Sequence, residues 1–159
     1  MTAKEYLSQA RVLKIKIEQK KRLLEEMEYS ASSAGAIRYD SIRVQGGSAR
    51  NKLEEEAIKA ASLTEDIRRD IRRYYAIRNE IIDTIHSLDN SRYILVLHAK
   101  WIDGESLERI AADMHYSFGH TKNLYSRAMR TINTILAERE EGLTQVIEIL
   151  NDKKDVTQK

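Results

Sequence analysis

The sequence has no cysteine and no proline, and it has only six glycines. Without cysteine the chain can form neither a disulfide framework nor a thiolate metal cluster, and it has no cysteine nucleophile. Without proline, and with Ala, Leu, Ile, Glu, Lys and Arg in abundance, its composition favours long helices over sheets. We therefore expect an all-α protein, and the lack of any oxidising-compartment marker makes the cytoplasm the default location.

The sequence also has no long apolar run. Residues 1–21 interleave charged with apolar side chains, a pattern typical of neither a signal peptide nor a membrane span, so we expect a soluble protein without a membrane partner. Its 27 Lys and Arg are nearly matched by 25 Asp and Glu, which leaves a net charge of +2. Attraction to a nucleic acid would therefore have to come from local patches.

Motifs of the common chemistries are missing as well. The sequence has no phosphate-binding GxxxxGK[ST], no GxSxG nucleophile elbow, no HExxH and no isolated carboxylate pair in an apolar setting. No two of its histidines have the i, i+4 spacing of helical metal ligands with a carboxylate between them; they are His86, His98, His115 and His120. We expect no catalytic activity, no cofactor and no bound metal.

Two helical patterns occupy the first half of the chain. From about Ala3 to Tyr29 the apolar positions form one stripe of a helix, interrupted by Lys20. A second pattern runs over residues 49–88, and small residues and glycines predict a linker over 30–48. In the second pattern the apolar residues are three or four positions apart: Leu53, Ala57, Ala60, Leu63, Ile67, Ile71, Tyr74, Ile77, Ile81, Ile85 and Leu88.

The second helix would be about 60 Å long at 1.5 Å rise per residue, so a small C-terminal domain could not cover its apolar seam. We predict that residues 1–88 form a long antiparallel helical hairpin, a coiled-coil-like arm in which the first helix folds back on the second. A second copy of the protein is the other candidate for covering the seam, so the oligomeric state stays open.

Four arginines form a dense basic strip on the second helix: Arg68, Arg69, Arg72 and Arg73. The i, i+4 spacing places them in neighbouring pairs. One interpretation is a site for a phosphate or a protein partner. The other is a solvated face in which the arginines pair with Glu65, Asp66 and Asp70.

Shorter helical segments follow in residues 89–137. Residues 89–91 can cap a helix that runs to about Trp101, and Asp103-Gly104 predicts its end. A second helix is predicted over 106–114. We expect Tyr93 and Trp101 to pack in the core of this domain.

A third helix of this domain is predicted to begin at Ser117 and to end at about Ala137. Residues 138–159 should then form a short amphipathic helix and a frayed tail. The chain would thus consist of an arm, a C-terminal domain and a short terminal segment.

The stretch 106–132 has the pattern of a helix-turn-helix. Two closely crossing helices need a small residue at the crossing, for which Ala111 is suited, and a cap for the second helix, for which Ser117 is suited. Tyr116 would close the turn. The residues expected to face inward are Leu107, Ile110 and Met114 from the first helix and Leu124, Ala128, Met129 and Ile132 from the second.

In that register the leading turn of the second helix faces outward, toward a DNA major groove. Lys122 and Asn123 are the candidates for reading sequence, because lysine can reach guanine acceptors and asparagine can pair with adenine. Lys122, Arg127 and Arg130 can also neutralise phosphates. The predicted DNA-binding residues are Ser117, Phe118, Gly119, His120, Lys122, Asn123, Arg127 and Arg130.

This segment resembles the promoter-reading helix-turn-helix, region 4, of sigma-70 family factors. The resemblance lies in Ile110-Ala111, Ser117, Leu124 and the run Arg127-Ala128-Met129-Arg130. Together with the upstream helices and the connector YDSIRVQGGS, the chain is similar to small sigma-like phage regulators, including the ArpU and RinA types of late gene activator. The similarity covers about residues 3–135 and is strongest over 91–132.

The resemblance implies a transcription regulator of phage or prophage type that works in the cytoplasm of a bacterial host. It would bind a double-stranded promoter or operator with the helix over residues 117–130. The arm would handle partners, either by forming a homodimer or by contacting host RNA polymerase.

Some residues depart from the family pattern. His115 stands in the turn where many such motifs have Gly, and Thr121 replaces a branched apolar residue, so a less stable motif is expected. Phe118 and Gly119 stand where sigma factors usually have Arg and Glu, and Asn123 replaces a Gln. The family's usual DNA target therefore does not carry over.

Two other classes of function stay open. A recognition subunit of a DNA-packaging machine, similar to small terminase proteins, would also join a helix-turn-helix to oligomerising helices, and would form a ring of many subunits. A helical protein-interaction module would bind no DNA. It would therefore lack the salt dependence that phosphate contacts produce.

Overall fold

The computed structural model describes the backbone of residues 1–37 and 48–156 and the side chains of residues 1–33 and 54–147. In those ranges the backbone forms five α-helices and no strand, which confirms the predicted all-α class. The helices are α1 (Ala3–Ile37), α2 (Ser48–His86), α3 (Ser91–Trp101), α4 (Leu107–Asp113) and α5 (Phe118–Val156).

None of the helices in the described part of the chain combines the length and the apolar character that crossing a membrane requires.

Helix α1 is longer than the sequence pattern predicts, because it ends at Ile37 and not near Tyr29. It therefore includes Gly35, which we expected to break the helix. Serine and alanine tolerate helical geometry, and propensity is a weak guide where packing contributes. Ala31 lines a cleft together with Ala57 and Ala60 of α2, so packing supports this added segment. The rest of the predicted linker, 38–47, and the side chain of Leu53 lie outside the described residues.

Helix α5 is also longer than expected. It does not end near Ala137 but continues through residues 138–142 to Val156, so there is no separate short helix in this part of the chain. Glu and Arg are good helix formers, and a single Gly142 in a helix costs only about 1 kcal/mol relative to alanine. The charged segment is therefore no barrier to helix propagation.

The chain divides into two compact units. The arm unit consists of Ala10–Ile77, and the C-terminal unit consists of Met1–Gln9 together with Arg78–Lys159. Both ends of the predicted arm thus belong to the C-terminal unit.

In the arm unit, α1 and α2 pack on a narrow apolar seam. Leu13 and Ile17 of α1 are buried against Ile67 of α2. Around them lie partly buried side chains, namely Leu24, Leu63, Ile71, Tyr74 and Ile77. Ala57, which the pattern placed in the seam, is exposed. Lys20 interrupts the apolar stripe of α1. Its ammonium group forms an ion pair with Asp70 Oδ2 of α2 at 2.6 Å, which gives this charged residue a partner between the two helices.

In the C-terminal unit, α3, α4 and α5 pack on one another. Their buried side chains are Val96 and Leu97 of α3, Ile110 and Ala111 of α4, and Leu124, Ala128, Ile132 and Leu136 of α5. The start of α1, the end of α2 and the segment just after α2 add further buried residues, which are Ala3, Tyr6, Leu7, Ile81, Thr84, Ile85 and Leu88. Tyr93 is half-buried in this unit, in line with the packing role predicted for it.

The start of α1 is bound to α5 by polar contacts. The backbone N–H of Ala3 donates to Asn133 Oδ1 at 2.6 Å, which satisfies one of the free N–H groups at a helix N-terminus. The Tyr6 hydroxyl lies 2.9 Å from Thr84 Oγ1, to which Arg139 also donates at 3.1 Å. Burial raises the pKa of Tyr6. This network holds residues far apart in sequence in one unit.

Candidate nucleic-acid interface

Helix α4 begins with a side-chain cap. Ser106 Oγ accepts a hydrogen bond from the backbone N–H of Arg109 at 3.2 Å, as serine does at an N-cap position. Glu108 lies in the first turn, and its pKa is lowered by a hydrogen bond from its own backbone N–H and by a second from the Ser106 side chain. The negative charge at this helix start is favoured by the helix dipole.

The turn after α4 closes with the two hydrogen bonds of a Schellman motif. The N–H of Tyr116 donates to Ala111 O at 2.9 Å, and the N–H of His115 donates to Ala112 O at 3.1 Å. His115 has a φ of 55°, in the left-handed region that favours glycine. His115, which stands where many helix-turn-helix motifs have Gly, thus occupies a glycine-type backbone conformation. Tyr116 closes the turn as expected.

Ser117 caps α5, as the sequence predicts. Its Oγ accepts from the N–H of His120 at 3.2 Å, and its carbonyl oxygen accepts from both the N–H and the hydroxyl of Thr121. The hydroxyl contact, at 3.1 Å, gives the buried Thr121 side chain a partner within its own helix. A polar residue can therefore stand at this apolar position without an unsatisfied group.

One face of α5 is buried over its first four turns. Thr121, Ala128 and Ile132 have no measurable exposure, and Leu124 is 8% exposed. On α4, Ile110 and Ala111 are buried, in agreement with their predicted inward orientation. The other residues expected to face inward, Leu107, Met114 and Met129, are half-buried.

The opposite face of α5 is exposed. All eight residues predicted to bind DNA are solvent-exposed, namely Ser117, Phe118, Gly119, His120, Lys122, Asn123, Arg127 and Arg130. No atom lies within 4 Å of the position that a Cβ would occupy at Gly119, so the helix backbone is open to close approach there. Phe118 is 46% exposed.

This exposed face carries only positive charge. The sequence has no Asp or Glu between residues 114 and 137, and Lys122, Arg127 and Arg130 lie in this interval. None of the three forms an ion pair with another described residue. Their charges are available to an anionic partner.

Two aromatic contacts flank the face. The ring of His120 packs edge-on against Tyr116 at 4.7 Å between centroids, which joins the leading turn of α5 to the preceding turn. Trp101 is half-buried, and its indole N–H makes no well-aligned hydrogen bond with the described residues. Burial raises the pKa of the Tyr125 hydroxyl, and the neighbouring Trp101 lowers it in part. The indole of Trp101 therefore lies beside Tyr125 of α5.

Sequence reasoning missed a pair of stacked histidines. The rings of His86 and His98 lie 5.5 Å apart between centroids, and His98 Nδ1 lies 3.1 Å from Asp103 Oδ2. The twelve-residue separation of the two histidines corresponds to no helical spacing, so the sequence contained no signal for the contact. Within the described ranges no three His, Asp or Glu side chains are placed to hold a metal ion.

The basic strip of α2 lies in the arm unit and is only partly neutralised. Arg68 pairs with Glu65, and Arg69 pairs with Asp66 at 3.1 Å, as the solvated-face interpretation predicts. All four arginines of the strip are exposed. Arg72 and Arg73 form no ion pair with a described residue, because Asp70 pairs with Lys20 of α1 instead.

No protein-family model matches the chain, and no curated protein and no solved structure is significantly similar to it.

Proposed function

We propose that this protein is a sequence-specific DNA-binding regulator of transcription, of phage or prophage type, in which α4 and α5 form a sigma-like helix-turn-helix. In this proposal α5 is the recognition helix and its first two turns enter the major groove. Lys122 and Asn123 read base edges, and Arg127 and Arg130 contact phosphates.

The observation that carries the proposal is the division of α5 into two faces. Thr121, Leu124 and Ala128 are buried, whereas Lys122, Asn123 and the open Gly119 are exposed in the same two turns. A recognition helix needs this arrangement, because one face must be fixed in the domain while the other fits a duplex. The lack of any acidic residue over 114–137 adds the charge that phosphates require.

We further propose that α1 and α2 form an antiparallel hairpin that serves as the arm. Lys20 meets Asp70, whereas residues later in α1, around Ala31, share a cleft with earlier residues of α2, around Ala57. This order of contacts supports opposite helix directions within the arm unit. The arm would contact a protein partner such as host RNA polymerase, or a second copy of the chain.

Competition binding with the full chain tests the assignment of roles. Lys122→Ala and Asn123→Ala should each reduce the preference for the best duplex over a scrambled duplex by about 1 to 3 kcal/mol, the usual worth of a good base contact. Arg127→Ala should weaken binding to both duplexes equally, because a phosphate contact carries no sequence information.

Lys4→Ala is a suitable control, because Lys4 is an exposed lysine outside the proposed interface. It should leave both affinity and preference unchanged. Equal losses on both duplexes for Lys122→Ala, Asn123→Ala and Arg127→Ala would remove the base-reading assignment.

A further inference from the structure

The two units of the chain differ in charge. The arm unit has 15 Lys and Arg against 11 Asp and Glu, whereas the C-terminal unit has 12 against 14. The positive charge of the protein therefore resides in the arm, although the proposed recognition helix belongs to the other unit. Attraction to a polyanion depends on local charge rather than on the total, so the arm must be considered as a binding surface in its own right.

Most of that charge lies in the middle of the arm. Residues 11–22 of α1 contain six Lys and Arg and a single acidic residue, Glu18. Residues 23–33 and 54–58, toward the other ends of the two helices, contain six glutamates and no Lys or Arg. The basic charge of the arm is thus concentrated in residues 11–22 and 68–73, which hold ten of its 15 Lys and Arg.

In this region the two helices form a groove whose lining includes Lys16, Lys20 and Arg73, which we call the basic groove. Asp70 also lies in it, where its carboxylate pairs with Lys20 at 2.6 Å. A hydrogen bond from Lys20 lowers the pKa of Asp70, and the positive charge of Arg73 lowers it further. The groove thus contains one carboxylate and three cations, and it keeps a net positive charge.

Two of these cations are available for a partner. Lys16 and Arg73 are exposed, and neither forms an ion pair within the described part of the chain. Lys20, in contrast, is fixed by Asp70 at the centre of the groove. The groove therefore combines one cation in a fixed position with two that can reach outward.

We infer that the basic groove binds the phosphodiester backbone of duplex DNA without regard to its sequence. Lys16 and Lys20 are one helical turn apart, about 6 Å along α1, and Arg73 contributes from the facing helix. Such a row of long cationic side chains fits a polymer with regularly repeated negative charge. Three of the side chains that line the groove are cationic, and Leu23 is the single exposed large apolar side chain among them.

This inference rests on the proposed function, because it assigns to the arm a second contact with the same polymer. It extends that function by separating two tasks. The recognition helix would discriminate among sequences, and the basic groove would add affinity for any duplex. A second copy of the chain is a poor occupant in a groove-to-groove arrangement, since the same cluster of positive charge would face itself.

The test measures binding of the full chain to a random-sequence duplex over a range of salt concentrations. The double variant Lys16→Gln, Arg73→Gln removes the two outward cations and leaves the Lys20–Asp70 pair intact. If both residues contact phosphates, the slope of log K against log salt should become shallower by about 1 to 2, at about 0.9 per contact. The affinity near 0.15 M salt should fall by about five- to thirty-fold.

The matched control is Lys14→Gln, Lys59→Gln, which removes one lysine from α1 and one from α2 at exposed positions outside the groove lining and outside the basic strip. It changes the net charge by the same amount, so a slope that falls only in the groove variant supports the inference. Circular dichroism establishes that both variants keep the helical content of the wild type.

Two results would overturn the inference, and they have different meanings. Equal slopes in wild type, groove variant and control would show that the groove cations serve another partner, such as an acidic protein surface, while DNA binding by α5 could still hold. If the wild-type chain has no salt-dependent affinity for any duplex, the proposed function fails as well.

Discussion

Replacing His115 by glycine should stabilise the C-terminal unit. His115 has a φ of 55° in the turn between α4 and α5, and its side chain is exposed. The two hydrogen bonds of the turn use backbone atoms only, so a glycine would preserve both of them. The substitution therefore changes the conformational preference of the backbone and little else in the folded state.

The size of the effect follows from two opposing contributions. A non-glycine residue in the left-handed region costs about 1 to 2 kcal/mol, and histidine should be near the lower limit because it tolerates this region better than most residues. Glycine loses more backbone entropy on folding, which costs about 0.5 to 1 kcal/mol. We expect a net gain of about 0.5 kcal/mol, which for a unit of about 90 residues corresponds to a rise in Tm of about 2 to 4 °C.

Urea unfolding provides the assay, with the fluorescence of Trp101 as the signal. Trp101 is the only tryptophan in the chain and is half-buried in the same unit as His115. Gly104→Ala is the matched control, because Gly104 has a φ of 79° and a Cβ there would meet no atom within 4 Å. It should destabilise the unit by about 1 kcal/mol through the backbone alone.

The reasoning is refuted if His115→Gly lowers the urea midpoint while Gly104→Ala leaves it unchanged. That pair of results would mean that the left-handed backbone conformation costs less than about 1 kcal/mol and that the imidazole stabilises the turn. A change in the m-value without a change in midpoint would instead indicate an altered denatured state.

Two further predictions concern the helices. Gly119→Ala and Gly142→Ala should each stabilise α5 by up to about 1 kcal/mol, since both positions are open to a methyl group, and a helicity increase by circular dichroism would show it. Only Gly119→Ala should change duplex affinity, so a similar change for Gly142→Ala would argue against the assigned face. The lowered pKa of Asp70 means that its pair with Lys20 stabilises the fold above about pH 5, and that this contribution is lost as the pH falls through the lowered value. Asp70→Asn should therefore reduce stability at neutral pH but not near pH 2, and an equal reduction at both values in urea titrations would contradict the ion-pair account.

Local signals located the short helices well. The caps at Asn90, Ser106 and Ser117 can be recognised in the sequence because asparagine and serine are preferred N-cap residues. In the structure each of these side chains accepts a hydrogen bond from a backbone N–H two or three residues ahead. The exposure of Lys122 and Asn123 also followed from the helical period alone. Interactions within one or two turns are encoded locally, so they could be predicted.

The ends of the long helices were harder to predict. Gly35 and Gly142 each lie within a helix, because a single glycine costs less than the favourable contributions of neighbouring residues. A single glycine lowers the stability of a helix only moderately relative to alanine, so it does not by itself end the helix. The sequence has no proline, the residue that would break a helix and so mark where it ends.

Contacts between distant residues left little signal in the periodicity. The Lys20–Asp70 pair joins residues 50 positions apart, and the Tyr6–Thr84 contact joins residues 78 positions apart. One clue was available for the first pair, because a lysine in an apolar stripe of one helix calls for a carboxylate in the facing stripe of the other. Asp70, next to the seam residue Ile71, was the candidate.

Selection of bound duplexes from a random DNA pool by the purified full chain tests the central claim most directly. If the exposed face of α5 reads base edges, successive rounds should enrich one short sequence, and Lys122→Ala with Asn123→Ala in the same chain should abolish that enrichment while overall duplex binding persists. A pool that stays random after repeated rounds, with wild-type protein that is folded and helical, would contradict the claim.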